Sequence, residues 1–352
     1  MTEVLKKEER AVFALRKLYR GFGYVPYKMS RFEEYELYVR NKDFLVSDQV
    51  ITFSDRTGRL LALKPDVTLS IVKNAPEEPG QVQKVYYNEN VYRDFREIMQ
   101  TGLECVGDLG EYEIAEVVTL AARSLCLLEQ PWVLDISHVG LIAAVLDGCD
   151  FHGEQRRQVL GCLRRKSTHE LKNLCESRPQ AWKKLKFLAI CRGSGDEALP
   201  ELESLLTSPE EKQALLELKN LWRILKASGL GDQIRFDFSV GNDMRYYSGV
   251  VFKGYLLGIP TGILSGGQYD RLPRKMGRKA RAIGFAIYVD LLAAQSSQDF
   301  HVDTLILHDG AVAPAALMEA AAEAGKAGSV LVARTLPKNR TWGNLIQLKG
   351  GA

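Results

Sequence analysis

The sequence predicts an α+β protein built on a mixed antiparallel sheet flanked by helices, and three features of its 352 residues support this class. Segments with strand character occur before residue 150 and return after residue 231. Between them lies a charged, leucine-rich stretch typical of helix. The tail after Val302 begins like a βαβ unit but ends after roughly 50 residues, short of an ordinary independent domain. Strands on both sides of a helical insertion favour an α+β layer architecture.

The first 150 residues contain the clearest strand pairing. Apolar side chains at helical spacing predict a first helix over 4–21, and a break at Gly21 and Gly23 precedes a short predicted strand, 24–30. A hairpin over 50–68 is predicted to turn at 56–58, and a helix to begin after Pro65 with Asp66 near its N-terminus, where an anion is favoured. Further predicted elements are paired strands 84–92 and 100–106, helix 112–129, strand 132–136 and helix 141–146.

The second half predicts a helical insertion followed by more strands. Prolines 179, 200 and 209 punctuate the helical stretch. Strand character returns at 235–238 and 249–255, a glycine-rich segment spans 262–267, and 282–294 is compatible with strand or helix. The tail predicts strand 303–308, helix 315–324 and strand 329–334. We therefore expect a catalytic-type domain (1–150 with 231–297), a helical insertion (151–230) and a truncated α/β remnant (298–352).

Composition excludes several classes of protein. The chain is 46% hydrophobic and 26% charged, and its net charge of +3 is too small to indicate a nucleic-acid binder by itself. Its six cysteines form no CxxC pair, which favours reduced core thiols and no metal site. The charged N-terminus lacks an apolar leader, and no apolar run is long enough to cross a bilayer. We expect a cytoplasmic protein.

Four ordered segments carry a more specific signal. They read LALKPDVT from Leu61, REIMQTGLE from Arg96, VGNDMRYYSGVVFKGY from Val240 and ILSGGQYDRL from Ile263, with Arg93 shortly before the second. Together they resemble the catalytic domain of histidyl-tRNA synthetase, a class II aminoacyl-tRNA synthetase, over about residues 5–295. The resemblance implies a class II synthetase-like fold and a histidine pocket. The residues it places there are Asp66, Thr68, Arg93, Gln100, Glu104, Tyr246 and Tyr247, with the backbone of Gly266 and Gly267 beside them.

These residue types suit the chemistry of histidine. Carboxylates at Asp66 and Glu104 would pair with the ammonium and a ring N–H, and Arg93 would neutralise the carboxylate of the ligand. Thr68 and Gln100 would supply neutral hydrogen bonds. The two tyrosines would pack on the ring, and the two glycines would let the backbone approach closely.

The departures from the synthetase pattern are systematic. Asn242 stands where the family has an arginine, with Arg245 three residues later, and Asp290–Leu291 replaces the Glu–Arg pair of motif 3. Arg93 and Arg96 are so close that the motif 2 loop is shortened, and Ser30 takes the place of the proline of motif 1. Amino-acid adenylation needs such arginines to stabilise charge on the α-phosphate.

A chain that keeps the histidine pocket but lacks these arginines and the longer motif 2 loop resembles the regulatory subunit of ATP phosphoribosyltransferase, a synthetase paralogue. That resemblance implies a non-catalytic histidine sensor without a cofactor, paired with the short-form catalytic subunit in histidine biosynthesis. It also implies a homodimer, formed through the motif 1 region, within a hetero-oligomer, and no tRNA partner. The alternatives are an enzyme that still activates an amino acid for transfer to tRNA or protein, and a tRNA-binding module.

Two remaining features have simpler interpretations. The basic segment 271–281 is expected to be a solvated loop between strands. A nucleic-acid or phosphate site is the less favoured interpretation, because no aromatic residue interleaves the cations to stack on bases. A docking surface for an acidic partner subunit is a third alternative. His138, at a strand end, and His169 are expected to be structural.

Overall fold

The computed structural model describes residues 5–45, 49–75, 80–240, 244, 246–293, 300–338 and 340–350. The chain divides into two compact units, Met1–Ala293 and Ala294–Ala352. The helices of the larger unit are α1 (Lys7–Gly21), α2 (Tyr35–Arg40), α3 (Thr68–Lys73), α4 (Glu111–Cys126), α5 (Val139–Gly148), α6 (Gly153–Arg165), α7 (Thr168–Leu174), α8 (Pro179–Ile190), α9 (Gly195–Leu205), α10 (Pro209–Ala227), α11 (Arg271–Lys275) and α12 (Asp290–Ala293). Its strands are β1 (Val25–Pro26), β2 (Phe32–Glu34), β3 (Thr52–Ser54), β4 (Leu60–Leu63), β5 (Val82–Arg93), β6 (Arg96–Gly107), β7 (Trp132–His138), β8 (Ile234–Phe236), β9 (Val250–Leu256), β10 (Leu264–Gln268) and β11 (Arg281–Tyr288).

A mixed eight-stranded sheet organises the larger unit and confirms the predicted fold class. Its strand order is β1-β5-β6-β11-β10-β9-β7-β8. The pairs β1–β5 and β7–β8 are parallel, and the other neighbours are antiparallel. A separate antiparallel sheet, β2-β4-β3, contains the predicted hairpin between residues 52 and 63.

The β5–β6 hairpin is longer than predicted and ends in a tight turn. Each strand has 12 residues, and Arg93 pairs with Arg96, so that only Asp94 and Phe95 connect the strands. Both have positive φ, 51° and 60°. Apolar content had suggested shorter strands, but the ladder of backbone hydrogen bonds continues through polar residues because it does not depend on their side chains.

Alternation along these strands separates two hydrophobic cores. Tyr86 and Leu103 face a core shared with α1, α4 and α5, whereas Val85 and Tyr87 face a second core shared with α3. Successive side chains of a strand point to opposite faces of the sheet. The second core supports the polar residues described below.

The helical insertion joins the first core through α6–α10. Pro179 and Pro209 begin helices at their first position, where no backbone N–H is needed. Pro200 was predicted to punctuate the stretch, but it lies inside α9. Four other predictions need correction at element ends: the first strand is shorter, being only Val25–Pro26, α4 ends at Cys126, α5 is longer, and 282–294 divides into β11 and α12.

Two further expectations are corrected by burial and contacts. Cys126 is exposed rather than part of the core, and Cys149 is only partly buried. The basic segment is not simply a solvated loop, because it begins with α11 and Arg278 donates to the carbonyl oxygens of Lys73 and Ala75. These carbonyls belong to the C-terminal end of α3, where a guanidinium satisfies unpaired acceptors. His138 is structural as expected, since Nδ1 accepts from the N–H of Leu141 at 3.0 Å.

The smaller unit is a three-stranded parallel sheet with one helix. Strand β12 (Phe300–His308) lies between β13 (Val330–Ala333) and β14 (Arg340–Leu348), and α13 spans Pro314–Ala324. The predicted βαβ beginning is confirmed, whereas β14 was not predicted. In the described ranges no helix has the length and apolar character needed to cross a membrane.

Candidate functional site

A cavity of about 300 Å³ opens beside α3 on the large sheet. Eight of the nine residues predicted from sequence line it, and these are Asp66, Thr68, Arg93, Gln100, Glu104, Tyr246, Tyr247 and Gly266. Its volume lies at the lower end of the range for small-molecule sites. Segments separated by as many as 200 positions in the chain therefore meet in one concave site.

Strand register explains why the polar residues converge. Gln100 and Glu104 are four residues apart on β6 and so point to the same face. Opposite them on β11 stand Tyr288 and Gly284, which also line the cavity. A slip of one residue would turn both polar side chains into the opposite core. The register is therefore as important to the site as the residue types.

Glu104 lies at the centre of the site and is 2% exposed. Thr68 Oγ1 donates to its Oε1 at 2.8 Å, and the Tyr269 hydroxyl donates to its Oε2. Burial raises the pKa of Glu104 to about 8, although these two hydrogen bonds favour the charged form. The carboxyl group is thus held in place and is costly to ionise without a cation beside it.

Asp66 and Arg93 form the second charged part of the wall. Asp66 Oδ1 accepts from the backbone N–H of Leu69 at 2.9 Å, and Asp66 Oδ2 lies 3.6 Å from Arg93 Nη2. Arg93 Nε donates to the carbonyl oxygen of Pro65 at 2.6 Å. Burial raises the pKa of Asp66, and the Arg93 charge opposes that effect. With the two buried carboxyl groups of Asp66 and Glu104 and one guanidinium, the site has groups for both a cation and a carboxylate.

Aromatic side chains form an apolar wall next to the carboxyl groups. The ring centroids of Tyr246 and Tyr247 are 4.8 Å apart, and those of Tyr246 and Tyr269 are 5.7 Å apart. Burial raises the pKa of Tyr246 well above its usual value, so its hydroxyl stays neutral. A flat ring of a ligand could stack here and still reach a hydroxyl group.

Glycines create room for these side chains. A Cβ on Gly284 would lie 1.8 Å from Glu104 Oε2, and one on Gly267 would lie 2.8 Å from the Tyr247 ring. Gly267, the ninth predicted residue, therefore supports Tyr247 and does not line the cavity itself. A Cβ on Gly266 would meet the Phe285 side chain at 2.4 Å. Only glycine fits at these three positions.

Sequence reasoning missed several residues of the site. Tyr269, Gly284, Ser265, Tyr87 and Tyr288 all line the cavity. Tyr269 stands in the GGQYD segment next to the predicted glycines, so its position in that motif was an available signal. Ser265 lies in the same segment, directly before Gly266. Tyr87, Gly284 and Tyr288 become site residues only through strand register, for which the sequence contained no direct signal.

The structure also describes part of the departures from the synthetase pattern. Leu291 packs against the apolar core, and Asp94 and Phe95 alone form the turn that replaces a longer loop. Asn242 and Arg245 lie outside the described residues. Within the described ranges, no group of three or more His, Cys, Asp or Glu side chains is placed to hold a metal ion.

Comparison with known sequences gives one family. The family model described as histidyl-tRNA synthetase matches residues 2–292. A relative from Thermoanaerobacter sp. (strain X514), named ATP phosphoribosyltransferase regulatory subunit, is 28% identical over 321 residues, covering 86% of this chain and 83% of its own length.

Solved structures agree on the fold. An ATP phosphoribosyltransferase regulatory subunit/histidyl-tRNA synthetase from Bacillus halodurans aligns with a TM-score of 0.77 and 25% identity, over 98% of this chain and 94% of the other. An ATP phosphoribosyl transferase complex from Thermotoga maritima contains a chain that aligns with a TM-score of 0.62 and 19% identity, over 79% of this chain and 96% of the other. At that identity the second similarity supports the fold alone.

Proposed function

We propose a function from one premise: the chain belongs to the histidyl-tRNA synthetase family, whose model covers most of it. Its relatives named as regulatory subunits support a role beside a catalytic subunit. Accordingly, we propose that this chain is the regulatory subunit of ATP phosphoribosyltransferase in the first step of histidine biosynthesis. It would bind histidine in the cavity of the large sheet and serve feedback control.

One observation carries the histidine proposal: two buried carboxyl groups, one guanidinium and a tyrosine wall line a single cavity. Histidine presents a matching ammonium, carboxylate and flat imidazole. Its ammonium would approach Asp66, its carboxylate would approach Arg93, and Glu104 would accept from a ring N–H. A hydrogen bond from the ring N–H would favour the ionised form of the Glu104 carboxyl group, which burial otherwise disfavours.

The proposal that this chain does not activate an amino acid rests on the groups that would have to bind a nucleotide. Transfer of an adenylyl group needs several positive groups around a phosphate. Arg93 is the single arginine or lysine among the described residues that line the cavity, and it already contacts Asp66. The two-residue turn after Arg93 leaves no loop to cover a nucleotide. These features support binding without activation.

Feedback would follow from differential affinity. Histidine bound in the cavity would favour one arrangement of the hetero-oligomer, and the catalytic activity of the short-form subunit would change with that population. The phosphoribosyl pyrophosphate site would then lie on the catalytic partner. We further propose a homodimer formed through the motif 1 region, a cytoplasmic location and no tRNA partner.

A rate assay tests the proposal directly. This chain is mixed with the short-form catalytic subunit from the same source, and phosphoribosyl-ATP formation is followed with and without histidine. We expect a rate that depends on this chain and falls when histidine is added. If the rate is the same with and without this chain, and the two proteins do not co-migrate, the regulatory role is refuted.

Two controls separate the parts of the proposal. Glu104→Ala should remove histidine inhibition while the two proteins still co-migrate, and inhibition that persists would contradict the assignment of the pocket. ATP–pyrophosphate exchange with histidine should stay at background. Exchange above background would instead support an amino-acid-activating enzyme.

A further inference from the structure

The turn at Asp94–Phe95 has a backbone conformation that suits Asp94 but not Phe95. Both residues have positive φ, as in the type I′ turns of two-residue hairpins. Asn–Gly is the preferred pair for such turns, because glycine has no Cβ to clash in the left-handed region and the short polar side chain of asparagine tolerates it. A phenylalanine at the second position is therefore unfavourable for the turn itself.

Packing does not compensate for this strain. Phe95 is 78% exposed, more than any other large apolar side chain in the described part of the chain. Phe13, by comparison, is 55% exposed on α1. Neither the turn nor a core accounts for an aromatic ring at this position, and strained residues that persist without packing are a sign of function.

The hairpin carries this ring at its end, and hydrogen bonds join its two strands behind the turn. In the described structure, the last β11–β6 partners are Tyr288 and Gln100, and the Val289 N–H donates to the Met99 carbonyl oxygen just beyond them, so the last residues of the hairpin extend past that neighbour. The outer face of the hairpin is tied across its strands, because Tyr92 and Asn90 both donate to Glu97 Oε1. An exposed aromatic side chain on a rigid support loses little freedom on binding.

The chemistry of the tip indicates the kind of surface it fits. Phe95 is followed by Arg96, an exposed cation. Aromatic and arginine side chains dominate the energetic centres of protein interfaces. The complementary surface would be an apolar socket with carboxylates at its rim.

The tip is also connected to the cavity. Arg93, two residues before Phe95, contacts Asp66 in the cavity wall and donates to the carbonyl oxygen of the adjacent Pro65. Beyond the turn, β6 carries Gln100 and Glu104 into the same cavity. A partner that holds the tip would therefore contact the strands that carry the ligand-binding side chains.

We propose that Phe95 and Arg96 form an anchor for the catalytic subunit, which binds the tip in an apolar socket with an acidic rim. This proposal rests on the proposed function. The anchor would place the partner at the end of the two strands that respond to histidine. Coupling between the two sites would then pass through Arg93 and β6.

The experiment compares four forms of the full chain: wild type, Phe95→Ala, Phe95→Leu and the pair Asp94→Asn with Phe95→Gly. Each is titrated against the catalytic subunit, with phosphoribosyl-ATP formation and sedimentation velocity as readouts. Loss of the ring in Phe95→Ala should raise the concentration for half-maximal activation by at least about tenfold. Phe95→Leu should restore much of the assembly, because it keeps apolar volume.

The paired variant separates anchoring from folding. Asn–Gly suits the turn, so this variant should unfold at a slightly higher temperature than wild type and still fail to assemble. Histidine binding by calorimetry should match wild type in all three variants, because Phe95 does not line the cavity. Leu257→Ala is the control, since that side chain is 72% exposed in the loop after β9, three strands from β6.

The possible failures are distinguishable. If wild type does not assemble with the catalytic subunit, the proposed function fails and the anchor fails with it. If wild type assembles and Phe95→Ala assembles equally well, only the anchor is refuted. A change in self-association of the chain alone, with hetero-assembly unchanged, would assign the tip to a second copy and overturn the proposal.

Discussion

Glu104→Gln should stabilise the unliganded protein while it weakens ligand binding. The Glu104 carboxyl group is 2% exposed, and burial raises its pKa from an ordinary 4.5 to about 8. The native state therefore binds this proton more tightly than the unfolded chain does. Glutamine keeps the shape of the side chain, can accept from Tyr269, and carries no charge to bury.

The sign and size follow from proton linkage. Because the folded pKa is raised, the proton's stabilising contribution is complete below pH 4.5 and is lost as the pH rises to about 8. Each pH unit within that window corresponds to about 1.4 kcal/mol. At pH 7 the wild type has lost about 3 kcal/mol of unfolding free energy in this way, which is the upper limit of what glutamine can restore.

The assay is urea unfolding of both proteins between about pH 5 and pH 8. Tryptophan fluorescence reports mainly on the larger unit, because Trp132, Trp182 and Trp222 lie there and only Trp342 lies in the smaller one. The advantage of the variant should grow with pH across this range. Glu116→Gln is the matched control: Glu116 already pairs with Lys84 at 2.7 Å, so this change should destabilise the protein.

A variant that is less stable than wild type at pH 7 would refute the reasoning, as would a stability difference that does not change with pH. Calorimetry tests the second part of the prediction, which is the loss of histidine affinity. Loss of a charged hydrogen bond should weaken histidine binding by about 10- to 100-fold, equivalent to about 1.5–3 kcal/mol. Stability gained together with affinity lost would identify Glu104 as a residue kept for its ligand.

Three further predictions follow from contacts in the same unit. Gly284→Ala would place a methyl group 1.8 Å from Glu104 Oε2 and should weaken histidine binding at least about tenfold in calorimetry; Gly21→Ala, with nothing within 4 Å, should bind normally. Lys64→Met would leave Glu89 without its buried partner and should lower the unfolding free energy by about 3 kcal/mol in urea. Lys73→Met breaks the ion pair with Glu33, in which the Lys73 side chain is 46% exposed, and it should lower the unfolding free energy by less than about 1 kcal/mol. Equal losses in the two variants would contradict this distinction between a buried and an exposed lysine. In native protein iodoacetamide should label the exposed Cys126 well before Cys105, whose pKa burial raises to about 12, as mass spectrometry would show; uniform labelling would be the contrary result.

Local patterns determined much of the fold. The apolar, β-branched and aromatic residues around Val85 and Leu103 were enough to predict the β5–β6 pairing, because the two strands are adjacent in sequence and share one turn. The βαβ tail was also predicted from local patterns, because β12, α13 and β13 follow one another directly in the chain. Its last strand, β14, was missed because seven of its nine residues are exposed and the other two are only partly buried, so it lacks a buried apolar signature.

The sequence by itself determined which residue types would form the candidate site. Asp66, Glu104 and the tyrosine pair belong to short motifs, and their chemistry can be inferred from residue identity alone. Only the tertiary structure decided what those side chains contact. Tyr269 reaches Glu104 from 165 positions away, and the missing Cβ of Gly284 leaves room for that carboxyl group. The physical reason is that strand register and burial are long-range properties, and they set the pKa of Glu104, which its identity alone does not.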